Sequence, residues 1–340
     1  MTEQDSFAIK IIRITATFMI FLCHTVFLFG DTVAFTAQFF NIGVDVFLFI
    51  TAYLFSVRKN VGSSVFVWYK KRLSRICVPY YWLIFAVCFS CLFANIDISG
   101  IDVVGSLLFL QGFTENYLPG GGHLWYLTAV MISYLITPLL YKIKDSKLIF
   151  KFVFFICGIG IYVLLVMFLK PIFATVFFKV FEYSLYFIVI PVLYDYFEKK
   201  KRIRIVIISV LFLITFCILK ILFNILFDDT SLYTNFLVPI TNLFIGASIF
   251  CFLFYLFKTS YSFFEKKHLF IKVIKYLDSI SFEFYLVHYF FITFPVNLIF
   301  KINPILNFAF ILFVCYLMSN ILYFISNKTY MVIDIWKQKH

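Results

Sequence analysis

The stretch that decides the fold is Arg13-Ile-Thr-Ala-Thr-Phe-Met-Ile-Phe-Leu-Cys-His24, a nearly apolar run with a cation at one end and an imidazole at the other. At about 100° per residue, eleven steps return to within roughly 20° of the starting face and rise about 16 Å. Arg13 and His24 are therefore expected on one stripe of one helix. If that helix spans a bilayer, the arginine lies near one headgroup layer and the histidine in the opposite half, where a polar side chain is costly and usually functional. The plainer alternative is a snorkelling arginine and a structural histidine bonded to a neighbouring helix. The stretch alone leaves both open.

Composition extends the reading to the whole chain. Of 340 residues 63% are hydrophobic and 14% charged, whereas soluble chains carry about 25% charged residues. With a mean hydropathy of +1.00, the chain reads as an all-α, polytopic integral membrane protein. Windows of about twenty apolar residues give about ten spans, roughly 9–30, 34–57, 76–95, 123–141, 148–169, 172–197, 203–227, 232–257, 276–300 and 303–326. Without a linker, repeat or soluble appendage, residues 1–340 read as one membrane-embedded domain.

The formal net charge of +12 matters through its distribution. Alternate loops carry Arg58, Lys59, Lys70, Lys71, Arg72 and Arg75; Lys142, Lys144, Lys147 and Lys151; Lys199, Lys200, Lys201, Arg202 and Arg204; and Lys258, Lys266, Lys267, Lys272 and Lys275. The intervening loops hold Asp31, Asp97, Asp102, Glu115, Asp228 and Asp229, with Lys170, Lys179 and Lys301. This positive-inside alternation places both termini in the cytoplasm and removes any need for a nucleic-acid partner. Glu3 and Asp5 in place of a basic leader argue against a cleaved signal peptide, although small residues around Ala34 and Ala37 would suit a cleavage that removed both Arg13 and His24. The eight cysteines all fall within apolar runs. Cys88-x-x-Cys91 has no second pair, so it reads as packing rather than as a metal site or a disulfide.

Several residues could carry chemistry. Asp45, near the middle of span two, is expected at a depth between Arg13 and His24, where a carboxylate could pair with the first and orient the second. A helix-to-helix hydrogen bond is the alternative. His123-Leu-Trp125-Tyr126 opens span four, and His288 lies mid-span with Glu283 about 140° away around the helix. No pair of these has ligand spacing, so no metal is expected. Glu182 is a buried carboxylate to which the sequence assigns no partner. Arg72 and Arg75, i and i+3 on a short helix feeding span three, could hold phosphate bidentately or could set topology and meet anionic lipid. The long loop 96–122, ending in Pro119-Gly120-Gly121-Gly122, is open between a segment covering a site and a plain flexible loop.

Together these motifs form a resemblance. Arginine, ten residues, then histidine; Gly43-Val-Asp45-x-Phe47; Arg72-x-x-Arg75 running into Pro-Tyr-Tyr-Trp; His123-Leu-Trp-Tyr-Leu; and Ser281-x-x-x-Tyr-Leu-Val-His288 occur in one order. The chain resembles the acyltransferase family 3 group of integral membrane acyltransferases from Arg13 to about His288. The likeness implies ten spans in the bacterial cytoplasmic membrane, acyl-CoA (commonly acetyl-CoA) as donor, and transfer to a hydroxyl of a surface polysaccharide or lipid-linked glycan. It further implies that His24 and Arg13 are essential, that Arg72 and Arg75 face the CoA phosphates, and that Asp45, Thr51 and Tyr53 line the site. His123, Trp125, Tyr126 and His288 would line the substrate path. Thr51-Ala52-Tyr53 departs from the Ser-Gly-Phe usual there. His24 is expected to act as general base or to carry the acyl group itself. The rival reading from another class is a polysaccharide-precursor flippase, which would share the span count and the buried charges.

Overall fold

The computed structural model describes residues 2–57, 64–114, 117–169, 171–227, 230–293, 296–300 and 303–339. Of the loop charges above, Arg58, Lys59, Glu115, Lys170, Asp228, Asp229 and Lys301 lie outside the described residues. The described chain is helical throughout, with no strand. Its helices are α1 (Glu3–Cys23), α2 (Asp31–Ala34), α3 (Ala37–Phe40), α4 (Gly43–Ser56), α5 (Val65–Phe93), α6 (Gly100–Leu107), α7 (Trp125–Lys144), α8 (Leu148–Phe168), α9 (Pro171–Glu198), α10 (Arg202–Phe227), α11 (Val238–Glu265), α12 (His268–Val287) and α13 (Pro304–Lys339). Among the described residues nine helical segments are long and apolar enough to cross a bilayer. The protein is therefore an all-α, polytopic membrane protein. The tenth expected span, 276–300, coincides with the second half of α12 and the chain beyond it.

Several boundaries differ from the sequence expectation, three of them for an identifiable local reason. α1 stops at Cys23 rather than running to residue 30. The amides of His24 and Thr25 bond three residues back, to Phe21 O (3.2 Å) and Leu22 O (3.0 Å), and Thr25 Oγ1 also donates to Phe21 O at 2.9 Å. These tighter turns end the α-helix, so His24 sits just past it. Arg72 and Arg75 belong to no separate short helix. α5 is continuous from Val65, with Ser64 as its N-cap accepting from Val67 N at 3.4 Å, and Pro79 is carried inside the helix. Lastly, α12 starts eight residues before the expected span and ends at Val287.

The chain forms two compact units. One comprises Met1–Ala16, Ile42–Val61 and Ile132–Asp278. Here α9 packs against α4 and α8, and α11 against α4 and α10. Phe7 of α1 is buried among Phe257, Tyr261, Phe264 and Phe270. α11 reaches α4 closely because residue 246 is glycine: a Cβ there would lie 2.7 Å from Asp45 Cβ, the small-residue contact that membrane helices use to approach. α8 and α10 bury little of themselves while α9 is mostly buried, so the former two present Leu, Ile and Phe side chains outward as a lipid-facing wall would.

The second unit comprises Thr17–Asn41, Gly62–Met131 and Ser279–His340. α13 packs along α5, where Trp82 Nε1 donates to Thr329 Oγ1 at 2.9 Å and Tyr330 Oη to Ser74 O at 3.1 Å. The described part of the 96–122 loop is stitched down. Ser99 caps α6 (Asp102 N to Ser99 Oγ, 3.2 Å), Tyr80 Oη donates to Ser106 O at 2.6 Å, and the Phe109 ring stacks on Tyr80 at 4.3 Å. Thr128 Oγ1 of α7 donates to Phe109 O at 2.7 Å and accepts from Gly112 N at 3.0 Å. This segment is thus tied to α5 and α7.

Candidate active site

In the second unit three histidines drawn from distant stretches meet. The His288 ring centroid lies 5.4 Å from that of His24 and 5.0 Å from that of His123. Tyr289 stands edge-on to His24 at 4.6 Å and also contacts His123 at 5.1 Å. Each histidine is placed differently. His24 follows the last turn of α1, half-buried, and no hydrogen bond fixes its imidazole among the described residues. His123 is delivered by the glycine run: Gly120 adopts φ 75°, a left-handed conformation that glycine takes without penalty, and the chain then enters α7. His288 comes just after α12, over a core of Phe21, Ile292, Ile311 and Cys315.

Two of the three imidazoles are locked. His123 Nε2 donates to Leu286 O at 3.1 Å, and His288 Nδ1 donates to Tyr285 O at 2.6 Å. A carbonyl only accepts, so these nitrogens carry the protons. Tyr285 Oη in turn donates to His123 O at 2.9 Å, tying α12 to the start of α7. His24 retains the freedom of both its nitrogens, which is what a group that takes up and releases a proton requires.

The first unit holds three further clusters of charge. Arg13 NH1 bonds Asp278 Oδ1 at 2.7 Å, partly exposed. Asp45 was expected to pair with Arg13 and orient His24; the cation bonded to its carboxylate is Lys179 of α9 instead. Lys179 also reaches Glu182 Oε2 at 2.9 Å, which supplies the partner missing from the sequence reading. All three side chains are buried. Lys179 had been counted with the outer loops, and Lys258 with the inner ones. Lys258 is likewise buried, inside α11, bonded to Asp5 at 2.9 Å and Glu198 at 2.7 Å. In an interior without water, a lysine survives by taking carboxylate partners.

A family model described as an acyltransferase domain, Acyl_transf_3, matches residues 7–324, nearly the whole chain. The chain belongs to this acyltransferase family. No curated protein and no solved structure matches it. The histidine cluster, the Arg13–Asp278 pair and the Asp45–Lys179–Glu182 cluster fall within the matched residues.

The remaining expected site residues of this acyltransferase are placed as follows. Arg72 and Arg75 lie one turn apart on α5, the first half-buried and the second exposed, beside exposed Lys70 and Lys71. Thr51 Oγ1 donates to Phe47 O of its own helix at 2.9 Å. Tyr53 is buried against Tyr194, Phe250 and Phe254. Trp125 and Tyr126 open α7, with Tyr126 edge-on to Tyr285 at 6.0 Å. The residues that sequence reasoning missed are Lys179, Asp278, Tyr285 and Tyr289. The Ser281-to-His288 motif contained Tyr285 as a repeated aromatic position, but nothing in spacing identified its partner 162 residues earlier.

Proposed function

We propose that this acyltransferase moves an acyl group, acetyl in the simplest case, from acyl-CoA to a hydroxyl of a surface polysaccharide or lipid-linked glycan. One observation carries the reading: His24, half-buried and with no hydrogen bond to its imidazole among the described residues, stands in a cluster of imidazole and tyrosine rings whose other histidines are pinned. As the acceptor oxygen attacks the thioester carbonyl, His24 takes the hydroxyl proton. The carbon–sulfur bond then breaks, and the proton leaves with the thiolate. General-base assistance of this kind contributes about a hundred- to ten-thousand-fold.

For the donor, exposed Lys70, Lys71 and Arg75 with half-buried Arg72 are cations on one stretch of α5, and they suit the phosphates of a nucleotide-bearing thioester. Their place in a basic loop supports a cytoplasmic entry for that donor, with both termini on the same side. Arg13 is assigned as essential by likeness to the family, with Asp278 holding its guanidinium. By the same likeness Asp45, Thr51 and Tyr53 line the site, and Trp125 and Tyr126 the substrate path.

The test is the acetyl content of cell-surface glycan, by mass spectrometry, in cells carrying the wild-type gene, a deletion, or His24→Ala at matched protein levels. Loss of acetyl in both the deletion and the variant is the expected result. Unchanged acetylation in the deletion would end this assignment of donor and acceptor.

A further inference from the structure

Acyl transfer places negative charge on an oxygen. When the acceptor oxygen bonds to the acyl carbon, the C=O electron pair moves onto the carbonyl oxygen, which then needs an N–H or O–H group aimed at it. The two pinned imidazoles do not supply one. His123 spends its proton on Leu286 O and His288 spends its own on Tyr285 O. Their other nitrogens are buried and without a hydrogen-bond partner among the described residues, and each keeps a lone pair, because a second proton would leave an unpaired charge away from water. His24 is engaged with the acceptor's proton. Among the described residues, the other ring against His24 is Tyr289, edge-on at 4.6 Å.

Tyr289 is mounted rigidly where its hydroxyl is not. Its carbonyl accepts from the amides of Ile292 and Thr293, both at 3.1 Å, and from Thr293 Oγ1 at 2.9 Å, so the turn after α12 fixes the main chain. The ring also packs on His123 at 5.1 Å. The hydroxyl makes no hydrogen bond among the described residues, and the side chain is half-buried, like His24, so both stay accessible from outside the core. We infer that Tyr289 is a catalytic residue whose phenol O–H donates a hydrogen bond to the acyl oxygen as it becomes negative. The phenol keeps its proton throughout. The oxyanion's electron pair then re-forms the C=O bond as the carbon–sulfur bond breaks, and the proton on His24 leaves with the thiolate. This rests on the acyl-transfer reading above and adds to it the donor that the histidines lack.

Tyr289→Phe keeps the ring and removes only the O–H. With labelled acetyl-CoA and membranes at matched protein levels, kcat should fall about a hundred- to a thousand-fold, the loss given by one oxyanion donor, while KM for the thioester and the melting temperature stay near wild type. A fluorinated tyrosine at position 289, which restores the O–H, should recover most of the rate. Near-normal kcat in Tyr289→Phe, a change confined to KM, or a lowered melting temperature that the fluorinated residue reverses together with the rate would overturn the role. If wild-type membranes transfer nothing from acetyl-CoA, the donor assignment fails by itself. Tyr289 is then judged by the ester-linked acyl groups of the whole cell envelope in deletion cells given either gene: less acyl with Tyr289→Phe supports the role, and equal amounts overturn it.

Discussion

At the scale of single residues, the structure separates groups that hold protons from groups that move them. His123 and His288 are pinned by backbone carbonyls, while His24 is not, so the pH dependence of transfer should report His24. Its neutral form is the working base. The rate should therefore fall as pH drops through the titration of that imidazole and level off above it. His24→Ala should lose about two to four orders of magnitude in kcat/KM and show a flat profile, measured with labelled acyl-CoA and membranes at matched protein levels. The Asp45–Lys179–Glu182 cluster predicts a stability effect instead. Lys179→Met strands two buried carboxylates, and breaking a buried pair costs about 3–5 kcal/mol. Thermal unfolding in detergent should drop markedly for Lys179→Met and recover in the triple variant with Asp45→Asn and Glu182→Gln. Little of this was legible beforehand. Asp45 is buried as the sequence reading expects and His24 is half-buried, yet a helical stripe states which way a side chain faces and not which helix it meets. Lys179 was misread because a cation in an apolar chain is most simply assigned to a loop.

At the scale of helices, close approach and turn geometry set the positions of the functional side chains. Gly246→Ala puts a Cβ 2.7 Å from Asp45 Cβ, with the Asp45 carbonyl carbon at 3.4 Å, so α11 and α4 must separate. Overpacking of this kind costs about 1–3 kcal/mol. Gly160→Ala on α8, where a Cβ meets nothing within 4 Å, is the matched control and should leave the unfolding temperature unchanged or raise it. Gly120→Ala acts through the backbone. At φ 75° a non-glycine residue is strained by roughly 1–2 kcal/mol, a penalty relieved by turning the chain that delivers His123. Activity should fall more than stability, which an assay beside a melting curve resolves. Helix positions were the most legible feature of the sequence, because twenty-residue apolar windows are a strong signal. Polar helix ends were the least legible: the first turns of α5 carry Trp68-Tyr-Lys-Lys-Arg72 and read as a separate short helix before the span, although a capping serine and unbroken helix from Val65 make them one element with it.

At the scale of the whole molecule, the open question in physical terms is the path of the chain across the membrane, and α12 decides it. Nine helical segments pass on length and hydropathy. α12 begins with His268, Lys272 and Lys275 and becomes apolar only in its second half, so it is less apolar than the other nine, while the charge pattern favours a crossing there. If residues 276–300 cross, the basic loop before α12 and the segment before α13 lie on opposite faces. The number of crossings is then even, and the two termini share a side. A nine-span chain would instead put the C-terminal Lys328, Lys337 and Lys339 opposite the basic loops, against the electrostatic bias that orients such proteins. Single cysteines at Lys267 and Phe300, both at exposed positions, separate the two cases with a membrane-impermeant maleimide, since the native thiols lie in apolar runs that such a reagent does not enter. Phe300→Cys should label from outside on intact spheroplasts, and Lys267→Cys only after permeabilisation. Labelling of both from one side would mean that the segment turns back within the bilayer. The histidine cluster would then sit at the base of a re-entrant loop, where backbone without regular helix is tolerated because it lines a polar cavity.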